Sequence, residues 1–103
     1  MTPKPLVWTD RALFDLEEID AYIAADDPIA AERWVESLLA AAQRAGELPM
    51  SGRLVPELGR EDVREIIKRN YRIVYRIFAD RVQVLTVFEG HRRLPHNLID
   101  GPQ

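Results

Sequence analysis

A chain of 103 residues without cysteine has room for one domain with a modest core, and it excludes disulfide frameworks and thiolate metal sites. Its formal charge of −3 is unsuited to non-specific nucleic-acid binding, which needs many phosphate contacts. The apolar runs are too short to span a bilayer, and the opening MTPKPLVW lacks the apolar stretch of a signal peptide. The expectation is a cytoplasmic single domain over 1–103, with its core over about 6–95 and a short tail over 96–103.

Leu6–Trp8 is a short apolar strand candidate. Thr9 or Asp10 caps a helix in which Ala12, Leu16, Ile19 and Ile23 form one buried stripe, flanked by Leu13 and Tyr22. Asp10, Asp15, Glu17, Glu18 and Asp20 crowd its first half, where acids suit the helix dipole. Asp26-Asp27-Pro28 breaks the period, with Asp27 as a cap and Pro28 at a first helical position. A second helix runs from Pro28 to about Gly46, with Ala31, Trp34, Leu38, Ala41 and Ala45 on one side. Its alanines permit close approach, so the two helices form a hairpin, and Gly46 is the expected stop.

Residues 47–62 form an irregular connection punctuated by Ser51-Gly52, Gly59 and two prolines. Strands are expected over Val63–Ile67, Tyr71–Phe78 and Arg81–Phe88, joined by hairpin turns at Lys68-Arg69-Asn70 and Ala79-Asp80. Simple alternation puts Tyr71, Ile73, Tyr75 and Ile77 on one face of the middle strand, and Arg72, Val74, Arg76 and Phe78 on the other. In the last strand it separates Val82, Val84, Thr86 and Phe88 from Arg81, Gln83, Leu85 and Val87. The second face is half apolar. Either the tail residues Leu94, Leu98 and Ile99 cover it, or a partner does. The fold class is α/β in the α+β sense: an N-terminal strand and helical hairpin packed on a three- to four-stranded antiparallel sheet.

Charge divides along the chain. Residues 1–50 carry ten acids and four bases, a net of −6; residues 51–103 carry seven acids and ten bases, a net of +3. Arg53, Arg64, Arg72, Arg76, Arg92 and Arg93 lie in or beside the strands, and guanidinium groups grip phosphate or carboxylate in a bidentate fork. The alternation allows Arg64 and Arg72 to share a face. Local acids such as Glu57, Glu65 and Glu89 are competing partners for any one arginine. His91 is the best candidate for proton transfer and has Glu89, Arg92 and Arg93 beside it, a combination that suits phosphodiester cleavage; His96 is a weaker candidate. No glycine-rich phosphate loop and no histidine–carboxylate metal spacing occurs, so no cofactor or metal is expected. Ser37 and Ser51 lack a credible base, and Trp8 and Trp34 suit the core.

Taken in order, certain residues resemble the RelE/ParE toxin superfamily, nearer its ParE branch. They are Trp8, Ala12, Asp15-Leu16, Ile19 and Tyr22-Ile23 in the first helix, then Pro28 with Ala30-Ala31. Pro49, Gly52-Arg53 and Val55-Pro56-Glu57 follow in the connection. Arg64-Glu65, Tyr71-Arg72-Ile73, Tyr75-Arg76, Val84-Leu85, Val87 and His91-Arg92-Arg93-Leu94-Pro95 complete the set.

The resemblance implies a toxin of a type II toxin–antitoxin system, of the kind that stabilises plasmids, neutralised by a cognate antitoxin that is ParD-like and forms a heterotetramer with it. ParE-like members are similar to inhibitors of DNA gyrase, whereas RelE-like members are ribosome-dependent mRNA endoribonucleases. For a nuclease, Arg64, Arg72 and His91 are the catalytic candidates. For partner binding they are Arg64, Arg72, Val74, Arg76, Phe78, Leu85, Val87, Arg92 and Arg93. The chain lacks a tyrosine after the last strand, places Lys68-Arg69 in a turn and has an acidic helical half, which favours gyrase as the target. A non-toxic interaction module is the remaining alternative.

Overall fold

A computed structural model describes residues 2–95 and 97–99. His96 and the end of the tail, 100–103, lie outside the described residues. The element order is β1 (Leu6–Trp8), α1 (Asp10–Ala24), α2 (Pro28–Glu47), a 3-10 turn (Pro49–Ser51), β2 (Arg53–Leu54), β3 (Val63–Lys68), β4 (Tyr71–Ile77) and β5 (Val82–Glu89).

The helices begin where local chemistry dictates. Thr9 is the cap of α1, its Oγ1 accepting from the Ala12 amide at 3.1 Å. Asp27 caps α2 by accepting from the Ile29 and Ala30 amides, both at 3.1 Å, with Pro28 in the first turn. Gly46 does not stop α2, which continues to Glu47. A Cβ on Gly46 would lie 2.9 Å from the Lys4 carbonyl oxygen, so the glycine admits the incoming strand.

The sheet has the order β1-β5-β4-β3-β2. β3, β4 and β5 pair antiparallel in succession, as expected; β2 adds antiparallel to β3 within the stretch read as irregular, and β1 joins β5 in parallel, giving five strands where three or four were expected. The β3–β4 turn is only Arg69-Asn70, with Arg69 at φ 53°. The hairpin of helices lies on one face of the sheet, around Ala12, Leu16, Leu38, Ala42, Ile73, Val84 and Val87. A second cluster on the other face, Val55, Val63, Val74, Leu85 and Phe88, is covered by Leu58, Leu94, Leu98 and Ile99.

One irregularity sets which residues face which way. Val74 pairs with Thr86 but Tyr75 pairs with Val84, so Leu85 is an extra residue in β5. A bulge of one residue inverts the alternation beyond it. Val87 therefore faces the helices beside Ile73, and Phe88 faces the tail beside Arg72. Both are opposite to the faces that simple alternation assigns.

Asp15 of α1 holds this bulge. Its carboxylate accepts from the Val87 amide at 3.0 Å and from the Thr86 hydroxyl. Tyr75, fully enclosed, anchors the 3-10 turn: its hydroxyl donates to the Pro49 carbonyl at 2.7 Å and accepts from the Gly52 amide at 3.0 Å. A Cβ on Gly52 would lie 2.5 Å from that hydroxyl oxygen, so only glycine fits.

Candidate functional site

Glu65 on β3 is enclosed on the tail-side face, and an enclosed carboxylate needs cations. Arg72 on β4 donates from Nε to Glu65 Oε1 at 2.6 Å, and Arg53 on β2 donates to Glu65 Oε2 at 2.6 Å. The remaining fork of Arg72 is bidentate to Glu57, with both contacts at 2.8 Å. Its guanidinium carbon also sits 5.1 Å over the Phe88 ring. Arg72 hydrogen bonds hold the Glu57 carboxyl down at about 2, and the bonds to Glu57 and Glu65 push the Arg72 pKa up. The network ties the 55–59 segment to the sheet with every arm of Arg72 engaged.

The neighbouring arginines are also paired within the chain. Arg64 donates to the Gly52 carbonyl at 3.0 Å and to Glu61 Oε2 at 2.9 Å. Its cross-strand neighbour is Tyr75, whereas Arg72 lies opposite Ile67 and Phe88. Arg64 and Arg72 thus point to opposite faces of the sheet, which corrects the expectation that they share one. Arg76 donates to Asp62 at 3.0 Å, and Arg60 holds the Asp62 carboxyl below its usual range. Phe78 is half-buried, with the guanidinium carbons of Arg76 and Arg81 at 4.9 and 4.1 Å from its ring.

His91 is exposed in the turn after β5, with Nδ1 3.8 Å from Glu89 Oε2. Arg92 is 3.7 Å from the same carboxylate, and Arg93 is exposed. Arg64, Arg72 and His91 accordingly do not form one cluster. Among the described residues, no group of three or more His, Asp or Glu converges as a metal set, and no helix is long and apolar enough to cross a membrane.

The apolar candidates divide. Val74 and Leu85 are buried under Leu58 and the tail, so the half-apolar face is covered by the chain itself. Val87 is buried on the helix side by the bulge and has no exposed face. A partner would reach Val74 or Leu85 only after the tail moved.

The open concavity lies elsewhere. A cleft of about 600 Å³ runs between the outer side of α1 and the end of β5, lined by Arg11, Phe14, Glu18, Tyr22, Tyr71, Arg92, Arg93 and Pro95 among others. Phe14 and Tyr22 are 56% and 81% exposed. Burial raises the Tyr71 phenol above its usual value. Arg92 and Arg93 are thus the two exposed sequence candidates that line this cleft, with the buried Val87 beneath them. Phe14 and Tyr22 stand off the buried stripe of α1 at a spacing of eight residues. That aromatic pair in a strongly acidic helix was the available signal.

The model of the ParE toxin of type II toxin–antitoxin systems (parDE) matches residues 6–94. The putative toxin Y4kP of Sinorhizobium fredii is 43% identical over 101 residues, covering 95% of this chain and all of that protein. Toxin RelE2 of Caulobacter vibrioides is 45% identical over 56 residues, spanning 54% of this chain and 64% of that one. A solved chain from the chromosomal ParDE system of P. aeruginosa superposes with a TM-score of 0.69 at 22% identity, covering 84% of this chain and 95% of its own, which establishes the shared fold.

Proposed function

The chain belongs to the ParE toxin family of type II toxin–antitoxin systems, and on that premise we propose that it arrests growth by binding and inhibiting DNA gyrase in the cytoplasm. A cognate antitoxin, ParD-like and assembling with it as a heterotetramer, neutralises it, and the pair stabilises the replicon that carries it.

The observation that supports binding over RNA cleavage is the saturation of Arg72. A nuclease needs guanidinium groups free to meet a phosphate as charge develops on it. Here Arg72 is already committed to Glu65 and Glu57, and Arg64 to Gly52 and Glu61, on opposite faces of the sheet. Inhibition by docking needs no such group. It needs an accessible surface, and the cleft beside α1 provides one.

One observation favours the endoribonuclease reading. His91 is exposed beside Glu89 and Arg92, where it can exchange a proton with an approaching substrate. The test is to induce the chain without its antitoxin and follow plasmid supercoiling and message integrity together. The expected result is lost supercoiling with intact messages, unchanged in His91→Ala. Message cleavage that disappears in His91→Ala would overturn the gyrase reading. Normal growth with both intact would leave an interaction module.

A further inference from the structure

We propose that the cleft between the first turns of α2 and the β3–β4 turn is a binding site for a free mononucleotide. It shares only Tyr71 with the cleft beside α1, and it stands apart from the gyrase reading.

The cleft holds about 520 Å³, within the range of about 300–1,000 Å³ usual for small-molecule sites. Ile23, Ile29, Trp34 and Tyr71 supply its apolar wall. The Trp34 and Tyr71 rings pack with centroids 5.6 Å apart and planes tilted by 57°, so each holds the other in place before a ligand arrives. Ile29 is 65% exposed. A planar base has a flat apolar face to lay against such a wall.

Charge selects an anion. The sheet arginines Arg53, Arg64, Arg72 and Arg76 are all paired inside the chain. Arg33 and Arg69 line the cleft, are exposed, and make no ion pair among the described residues. The turn that carries Arg69 sets it in place. Arg69 adopts φ 53°, a left-handed conformation uncommon for a residue with a side chain, and the carbonyl of Asn70 beside it accepts from the Gly90 amide at 2.6 Å. The Arg69 guanidinium carbon then lies 5.2 Å from the centre of the Trp34 ring. A guanidinium held over a ring still has N–H donors for phosphate oxygens.

Asp27 is the one acid in the lining, against two guanidiniums. Both of its capping bonds go to Oδ1, which leaves Oδ2 to accept from a sugar hydroxyl. Ser37 and Asn70 add a hydroxyl and a carboxamide. These groups match the phosphate, sugar and base of one nucleotide. Inorganic phosphate would leave the apolar wall unused, and a nucleoside would leave the arginines unused. A longer strand suits the site less. The exposed acids Asp26 and Glu32 adjoin it in sequence, and the chain carries a net −3, so further phosphates meet repulsion.

The test is an amide NMR titration of the full chain with AMP, GMP, CMP and UMP, beside adenosine and inorganic phosphate, all at one ionic strength. At least one nucleotide should bind at least tenfold tighter than either adenosine or phosphate, with shifts gathered at residues 29–37 and 69–71. The double variant Arg33→Gln with Arg69→Gly should lose at least tenfold. Glycine suits the left-handed position, so the turn and the fold are kept. Arg44→Gln removes an exposed arginine of α2 outside the cleft and should bind as the parent chain does. Four nucleotides that bind no tighter than phosphate would overturn the proposal, as would parent-like affinity in the double variant. An equal loss in Arg44→Gln would reduce the effect to general surface charge, which also overturns it. A short single-stranded oligonucleotide bound at least tenfold tighter than any mononucleotide would make the cleft part of a nucleic-acid surface, and the free-nucleotide proposal would fall.

Discussion

Arg72→Met removes a guanidinium and keeps most of the side-chain length. Glu65 is then left enclosed, its side chain 0% exposed, with only Arg53 beside it, and Arg53 is 58% exposed. Breaking a buried ion pair at one partner costs about 3–5 kcal/mol. The Glu57 contact adds at most about 1 kcal/mol, because Glu57 is 41% exposed and water screens it. Against a total of about 5–15 kcal/mol for a domain of this kind, the variant should be severely destabilised. Its melting midpoint should fall by at least about 12 °C. The double variant Arg72→Met with Glu65→Met removes both charges and should regain much of the loss. Urea unfolding followed by circular dichroism, beside a growth assay, reads both effects. Toxicity and fold should fall together in Arg72→Met and recover together in the double variant. An Arg72→Met chain as stable as its parent but without toxicity would refute it, because the guanidinium would then act on a target.

Tyr75→Phe leaves the Gly52 amide and the Pro49 carbonyl without their buried partner, so it should cost about 1–3 kcal/mol in urea unfolding. A loss below about 0.5 kcal/mol would mean that the 3-10 turn closes by other contacts. The Glu57 carboxyl is lowered from 4.5 to about 2, mainly by its bond from Arg72, so its stabilisation is complete above about pH 4.5 and is lost as pH falls through about 2. Because Glu57 is well exposed, that contribution is about 1 kcal/mol or less. Glu57→Gln should therefore flatten the acid limb of a stability–pH curve, and an unchanged slope would contradict the pairing.

The helices were legible because their determinants are local. Thr9, Asp27 and Pro28 mark starts within a few residues of the groups they satisfy, and the stripes at Ala12–Leu16 and Ala31–Leu38 need only a helical period. The two-residue β2 was hidden inside a stretch of turn residues. The bulge was not legible because Leu85, Thr86 and Val87 all suit a plain strand; the distant Asp15 carboxylate that holds it belongs to another element. The arginines misled for the same reason. Glu57 lies 15 residues from Arg72 in sequence, and only the folded register brings them together. One clue was present: Glu65 alternates with Val63 and Ile67, and an acid on an otherwise apolar face needs an internal cation.

The surplus residue at Leu85 divides β5 into two segments with opposite inside-out parity. Deleting it would straighten the ladder and keep Val87 opposite Ile73 and Phe88 opposite Arg72, whereas keeping it without the bulge would turn Val87 outward and Phe88 beneath the helices. Descendants of this gene can thus shed that one residue without exchanging interior for exterior, and a gap set opposite Leu85 in a comparison of relatives keeps the inward positions of the whole strand in step.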